Sequence, residues 1–448
     1  MIVAHRNVIE FVTWANGYFG LAQSDRVSCH SPFAFDLSTW DLFSGFAAGA
    51  EVHLVPPQLN LFPGRLVDFI REHRLTQWFS VPSLLAYLAR FDAVQPGDFP
   101  ELRRIIWCGE VFATPALRYW MDRVPHASFT NLYGPTETTI ASSYFRVEAP
   151  PSDPGATVPI GRACDGETLH ILDPDLSPLP PGKVGEIGIG GAGVTLGYWR
   201  DPERTGAAFV ALPSEPGSRV YRTGDLGMRD GAGLVHFLGR KDSQIKSRGH
   251  RIELGEIEAA LLSMPEIGEG AVVALQAEGF AGHTICCAYV PRAGNGLSPA
   301  AAREGLAALV PRYMLPARWR AMDQLPSNAN GRSIGLLYAR CSVRRGASRR
   351  REAGHEAMVS KTDIEQALLA FLREQFGVEP PSADANLIEG GILDSMMFVD
   401  LIVFIEERFG VVAELDDLEI ENFATVAGMA RFVIERGVRN RPATVHRL

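Results

Sequence analysis

The 448-residue chain has no run approaching the roughly 18 consecutive apolar residues that a membrane-spanning helix needs. Its opening, Met1-Ile-Val-Ala-His-Arg6, lacks the apolar core of a secretory signal. Cysteine is scarce, with six residues at 29, 108, 164, 286, 287 and 341, and no CxxC or Cys/His metal spacing among them. That argues against a disulfide framework or a zinc module and fits reduced core thiols of a cytoplasmic protein. The formal net charge of −9 argues against a general nucleic-acid binder, and no internal repeat is visible. What is present is globular: 46% hydrophobic and 21% charged residues, enough for two or three domains with a large core.

Through residue 145, short apolar runs alternate with amphipathic segments. The runs 51–55, 77–81, 104–107 and 128–132 are predicted strands; 63–73, 82–90 and 115–123 are predicted helices, each opening on a proline that a helix tolerates in its first turn. Strand–helix alternation predicts an α/β fold with a parallel sheet covered on both faces. Ligands of such sheets sit at the carboxyl ends of strands. Cys108-Gly109-Glu110 and Tyr133–Glu137 both follow predicted strands, so both belong on that edge.

The second of these lies within Asn131-Leu-Tyr-Gly-Pro-Thr-Glu-Thr-Thr-Ile-Ala141. Gly134-Pro135 forces a turn, and around it stand a phenol, several hydroxyls and a carboxylate. Tyr133 can stack on a flat heterocycle, Thr136 can donate to a phosphate oxygen, and Glu137 can hold Mg²⁺, which prefers hard oxygen ligands. An ordinary capped turn would explain Tyr-Gly-Pro-Thr alone equally well. The full stretch resembles the signature loop of adenylate-forming enzymes, above all the amino-acid-activating domains of nonribosomal peptide synthetases.

Further blocks in the same order carry that resemblance. Phe35-Asp36-Leu-Ser-Thr-Trp40-Asp41 is similar to the family's substrate segment, which implies that Asp36 pairs with a substrate ammonium; standing alone, Asp36 reads as a helix N-terminal acid. The other pocket positions map onto Leu37, Trp40, Phe79, Ile106, Cys108, Leu132, Ile140 and Ala141. None is charged, so the expected substrate is an α-amino acid with an apolar side chain. Tyr221-Arg-Thr-Gly-Asp225-Leu-Gly227 resembles the ribose-binding segment, with Asp225 accepting from vicinal hydroxyls. Gly239–Glu258 resembles the segment joining the large domain to the small one. It implies a nucleotide contact for Arg240, a hinge at Asp242, and a loop bearing Lys246 and Gly249 that faces the site for thioester formation. Leu325–Arg332 resembles the terminal catalytic motif, with Arg332 where the family has lysine, a change of shape and reach. The resemblance thus implies catalytic roles for Glu137, Lys246 and Arg332. It implies nucleotide contacts from Gly109, Glu110, Tyr133, Thr136, Asp225 and Arg240.

From about residue 156, short strands with Pro/Gly turns predict a β-rich subdomain. Gly188-Ile-Gly-Gly-Ala-Gly193 formally matches GxGxxG, but Thr195-Leu-Gly-Tyr-Trp199 follows instead of an amphipathic helix, so the glycines read as turn and close-packing positions. Residues 340–351 form a basic, aperiodic linker, read as a junction of two reading frames with Met358 once a start. Beyond it, residues 362–376 are a predicted amphipathic helix. A second helix beginning at Ser395 carries Phe398, Leu401, Ile402, Ile405 and Phe409 on one face. Asp394-Ser395 can simply cap that helix, but Gly-Gly-Ile-Leu-Asp-Ser resembles acyl and peptidyl carrier domains. There the serine bears 4′-phosphopantetheine, and a phosphodiester is favoured at a helix N-terminus.

The expected architecture is therefore an adenylate-forming large domain with parallel sheets and a β-rich subdomain at 1–241. A small α+β C-terminal subdomain at 242–338, a linker at 339–360 and an all-α four-helix carrier at 361–436 follow. The sequence opens on residues resembling those just after the family's phosphate-wrapping loop, so the large domain is expected to lack its N-terminal part. The implied cofactors are ATP, Mg²⁺ and 4′-phosphopantetheine. The implied partners are an amino acid, a phosphopantetheinyl transferase and downstream condensing or tailoring enzymes, with no nucleic acid and no membrane. The expected activity is ATP-dependent formation of an aminoacyl adenylate and transfer of its acyl group to the carrier. Two rivals stand beside it: an acyl- or aryl-acid ligase, and an inert adenylation remnant beside a working carrier.

Overall fold

Strands buried on both faces are mostly apolar, and the central strands here bury Trp78, Phe79, Ile105, Ile106 and Trp107 beside the polar Gln77, Ser80 and Arg104. In the computed structural model, β1 (Arg26–Cys29), β2 (Glu51–Leu54), β3 (Gln77–Ser80), β4 (Arg104–Cys108) and β5 (Ser128–Tyr133) join β6 (Ser143–Val147) and β7 (Arg162–Ala163) in one sheet, ordered β2-β1-β3-β4-β5-β6-β7. Every residue of β3 and β4 is buried. The structure describes residues 1–241, 244–247, 250–276, 283–292, 297–322, 325, 360–376, 378–389, 393 and 395–439. The expected hinge Asp242, Gly249, Arg332 and nearly all of the linker lie outside those residues.

From β2 to β5 all pairings are parallel, as predicted. The sheet is not parallel throughout, however: β6 is reversed and pairs antiparallel with both β5 and β7. Residues 134–142 are too few for the crossover of about a dozen or more residues that a parallel return requires. The helices are α1 (His5–Phe19), α2 (Leu37–Ala48), α3 (Pro63–Glu72), α4 (Pro82–Arg90) and α5 (Thr114–Arg123). Proline stands in the first turn of α4 and α5, where the missing N–H leaves no intrahelical bond unmade.

The β-rich part is a second sheet. Strands β8 (Glu167–Leu172), β9 (Val184–Gly191), β10 (Phe209–Leu212) and β11 (Glu215–Arg229) are ordered β10-β11-β9-β8, and β12 (Val235–Arg240) pairs with β11. The short α6 (Pro202–Ala208) precedes β10. The GxGxxG run lies largely in β9, and its glycines are packing positions. A Cβ on Gly193 would stand 2.6 Å from the Thr138 carbonyl oxygen, so only glycine lets these segments meet. Next come β13 (Gln244–Ser247) and β14 (His250–Glu253), which pair as a two-stranded sheet.

The chain separates into two compact units, Met1–Leu59 with Arg65–Arg251, and Asn60–Gly64 with Ile252–Leu448. In the second, α7 (Leu254–Leu262) and α8 (Pro299–Ala307) accompany a sheet ordered β15 (Ile267–Gln276), β16 (His283–Pro291), β17 (Arg318–Ala321). Its C-terminal helices are α9 (Lys361–Phe376), α10 (Ser395–Phe409), α11 (Ile420–Phe423) and α12 (Val426–Arg439). Before α9, the Ser360 hydroxyl and the Asp363 carboxylate each take the other's backbone N–H, a reciprocal cap. On α10 most of the predicted face is buried: Phe398, Leu401, Ile402 and Ile405 are in the core, while Phe409 is only partly buried. Among the described residues no helix is long and apolar enough to cross a membrane.

Candidate active site

The loop after β5 turns sharply. A Cβ on Gly134 would lie 2.6 Å from the Ala141 Cα and 2.8 Å from the Ser142 nitrogen, so a side chain there would push the two limbs apart. Glycine brings 133–141 into a tight lobe in which Tyr133, Glu137, Ile140 and Ala141 are buried while Thr136 stays exposed.

Tyr133 donates its phenol O–H to Asp225 Oδ2 at 2.6 Å. The other carboxylate oxygen, Oδ1, accepts from Arg240 Nη1 at 2.6 Å. Asp225 and Arg240 are cross-strand neighbours on β11 and β12, which places opposite charges side by side. Asp225 reaches the loop because β11 breaks register against β9 between Arg222 and Leu226, around Gly224 at φ 72°. Three sequence-predicted nucleotide residues thus form one buried chain. Desolvation, with the Asp225 charge beside it, raises the Tyr133 phenol well above its usual pKa and keeps it a donor.

Glu137, 4% exposed, is fully engaged. Its Oε1 accepts from the Tyr198 phenol at 2.8 Å, and its Oε2 accepts from Arg251 Nη1 at 2.7 Å. Burial alone would raise this carboxyl's pKa; the Arg251 charge and the phenols outweigh it and hold the pKa below the usual value. Arg251 also reaches the Tyr221 hydroxyl at 3.4 Å. Among the described residues no cluster of three or more His, Cys, Asp or Glu could hold a metal. A lone carboxylate still fits Mg²⁺, which commonly takes one or two carboxylates together with substrate phosphates. Glu137 is the residue that would hold it.

Asp36 immediately precedes α2, but its side chain does not cap the helix. Burial raises its pKa, against the pull of the Thr136 side chain and the Ile140 and Leu37 backbone amides, with the Glu137 charge adding to the rise. Beside it, Trp40, Phe79, Ile106, Cys108, Leu132, Ile140 and Ala141 fall in a single apolar cluster, with Leu37 packed against it. All the predicted pocket walls therefore meet in one place. Burial pushes the Cys108 thiol up to about 12, so this cysteine is a wall and not a nucleophile.

The remaining predicted residues are placed less tightly. Gly109 takes φ 100°, and Glu110 Oε2 accepts the Ser83 N–H in the first turn of α4, so its carboxylate serves a helix end. Lys246 on β13 lies with its Nζ 5.4 Å from the Tyr133 ring centroid. Ser395 is the first residue of α10, and helix N-termini in general favour phosphate groups. Sequence reasoning assigned no role to Arg251, Tyr198 or Tyr221, although all three lie in quoted blocks. A cavity of about 720 Å³ lies at the other edge, bordered by Arg104 and Ser128 at the starts of β4 and β5.

Three families describe the chain. Residues 1–199 match the AMP-binding enzyme family, residues 256–332 the AMP-binding enzyme C-terminal domain, and residues 366–433 the phosphopantetheine attachment site. Fold and site together define an adenylate-forming enzyme of the AMP-binding class. Tyrocidine synthase 1 of Brevibacillus parabrevis is 30% identical over 96% of the chain, and tyrocidine synthase 3 of the same organism 33% over 99%. The chain spans 38% of the first and 7% of the second. Among solved structures, an adenylation domain of Vibrio cholerae, AlmE, in complex with glycyl-adenosine-5′-phosphate, is 30% identical at a TM-score of 0.68, covering 76% of this chain and 63% of that one. Holo-PA1221, a nonribosomal peptide synthetase protein containing adenylation and carrier domains, is 25% identical at a TM-score of 0.68, covering 93% of this chain and 68% of that one. The chain belongs to the nonribosomal peptide synthetase-type adenylation domains, joined to a phosphopantetheine carrier domain. Enzymes of this family use ATP with Mg²⁺, and the carrier domain holds phosphopantetheine covalently.

Proposed function

We propose that the chain activates an α-amino acid with an apolar side chain as its aminoacyl adenylate, and that the acyl group passes to the carrier at Ser395. The observation that carries this reading is the meeting of two chemistries on one loop. Tyr133, Asp225 and Arg240 form a buried polar chain on one side. Asp36 and the apolar cluster around Trp40 and Phe79 stand on the other. In this reading Asp36 pairs with the substrate ammonium, and the apolar walls receive its side chain. Asp225 accepts from the ribose hydroxyls, Arg240 and Thr136 meet the nucleotide, and Tyr133 offers a flat ring. Arg332 attends the carboxylate and α-phosphate, and Lys246 serves the second half-reaction with Asp242 as hinge. Positioning and charge stabilisation of the transferring phosphoryl group do the catalytic work. Phosphopantetheine supplies the thiol that accepts the acyl group. The glycyl adenylate in the Vibrio cholerae relative supports an aminoacyl rather than an aryl substrate. The boundaries proposed for the units are 1–241, 242–338 and 361–436, and the proposed partners are a phosphopantetheinyl transferase and downstream condensing or tailoring enzymes.

Intact mass spectrometry after treatment with a phosphopantetheinyl transferase, coenzyme A, MgATP and a pool of apolar amino acids tests this. A phosphopantetheine increment followed by an aminoacyl increment is expected, and Ser395→Ala should abolish both. The first increment without the second would leave only the carrier working. Loading of a des-amino acid in preference would make the protein an acid ligase.

A further inference from the structure

The carboxylate expected to hold a divalent cation already holds one positive charge. Glu137 is buried, its Oε1 is taken by the Tyr198 phenol, and Arg251 Nη1 sits 2.7 Å from Oε2. A cation on Oε2 at about 2.1 Å would share that oxygen with the guanidinium, and two positive groups at such range in a buried setting repel strongly. The groups facing the pair from other elements are already engaged: the Tyr198 phenol donates to Glu137 Oε1, and the Tyr221 hydroxyl meets the same guanidinium at 3.4 Å.

A second contact points the same way. Strand β13, which pairs with the strand bearing Arg251, sets Lys246 5.4 Å from the Tyr133 ring centroid. The two-stranded sheet therefore touches both the ring and the carboxylate that the functional reading assigns to nucleotide and metal. Arg251 is half-buried, so no solvent shell screens the pair fully.

We propose that Arg251 is a positioning residue that takes the metal's place on Glu137, so that a divalent cation binds this carboxylate only once β14 withdraws the guanidinium. The inference rests on reading Glu137 as the metal ligand. It makes metal occupancy and the seating of β13 and β14 mutually exclusive.

The test is Mn²⁺ binding to the full chain, read by electron paramagnetic resonance without nucleotide. Arg251→Gln should bind one Mn²⁺ about ten-fold more tightly than the wild type. Arg251→Lys, which keeps a cation but loses the planar fork, should gain about three-fold. The gain must vanish in the Arg251→Gln, Glu137→Gln double variant. Equal or weaker binding by Arg251→Gln, or a gain that survives loss of Glu137, overturns the proposal. Should circular dichroism show Arg251→Gln unfolded, absence of any gain in Arg251→Lys overturns it instead. Calorimetric titration with ATP separates this from the functional reading. A Mn²⁺ gain without ATP binding would defeat the nucleotide assignment alone, and ATP binding without a Mn²⁺ gain would defeat the role of Arg251 alone.

Discussion

The two sides of the 133–141 loop are built by different physics. On the polar side, Tyr133, Asp225 and Arg240 form a chain of short hydrogen bonds, and Glu137 is held by a guanidinium and a phenol. On the apolar side, Trp40, Phe79, Ile106, Leu132 and Ile140 meet by packing, with the Trp40 and Phe79 rings edge-on at 4.5 Å. Polar partners are exchangeable: a ribose hydroxyl or a metal can replace a phenol or a guanidinium at similar geometry. Packed walls are not, because their energy comes from filled volume. On the proposed reading, one side of the loop changes occupants during a reaction cycle while the other keeps a fixed shape for the substrate.

The contrast can be broken most forcefully at Asp225. Asp225→Ala takes the acceptor from the buried Tyr133 phenol and one anionic partner from the nearly buried Arg240, a loss on the order of 3 kcal/mol. A large fall in denaturation midpoint is expected, with ATP binding lost in calorimetry. Asp225→Asn should recover much of the stability and little of the binding. Equal ATP affinity in Asp225→Asn and the wild type would remove Asp225 from the nucleotide site. A smaller effect, on the apolar side, is expected from Ile106→Val at a fully buried position. It should cost about 0.5–1.5 kcal/mol and change discrimination between substrates differing by one methylene by about ten-fold or less. ATP affinity should not move. If it does, the two sides are not separable.

How far the sequence reveals this depends on where the information resides. Strands β3, β4 and β5 are legible because they are short apolar runs beside prolines, and α10 is legible because Phe398, Leu401, Ile402 and Ile405 repeat at helical spacing. Helix α2 is not. Its buried face includes Ser38, Asp41 and Ser44, while Phe43 and Phe46 are exposed at 52% and 65%, so its hydrophobic pattern is inverted. Each member of the polar chain stands in a recognisable block. The bond between Tyr133 and Asp225, however, spans 92 positions and exists only through β-sheet register. Arg251 is the clearest omission. Within a basic run it looks like any neighbouring arginine, and only the folded course of β14 sets it on Glu137.

The smallest effect lies at the seam between the loop and the β-rich sheet. The Thr139 hydroxyl donates to the Gly193 carbonyl at 2.7 Å, and the Gly193 N–H donates to Glu167 Oε1 at 2.6 Å. The other carboxyl oxygen, Oε2, is buried with no hydrogen-bond partner. Burial pushes the Glu167 carboxyl up to about 7, with the charge of Glu10 adding to the rise and the Gly193 N–H opposing it. A carboxyl raised on folding binds its proton more tightly in the folded state. Stability is therefore greatest below the unfolded value near 4.5, falls as pH rises towards about 7, and levels off above it. After allowance for partial solvent access, the swing should be on the order of 1 kcal/mol. Thermal midpoints of the wild type and Glu167→Gln, compared at pH 5.5 and pH 8, isolate this group from every other titration. The variant's advantage over the wild type should be larger at pH 8 than at pH 5.5. A difference that does not change with pH would mean that Glu167 is charged in the folded protein, and that the seam is held by an ion rather than by a protonated carboxyl.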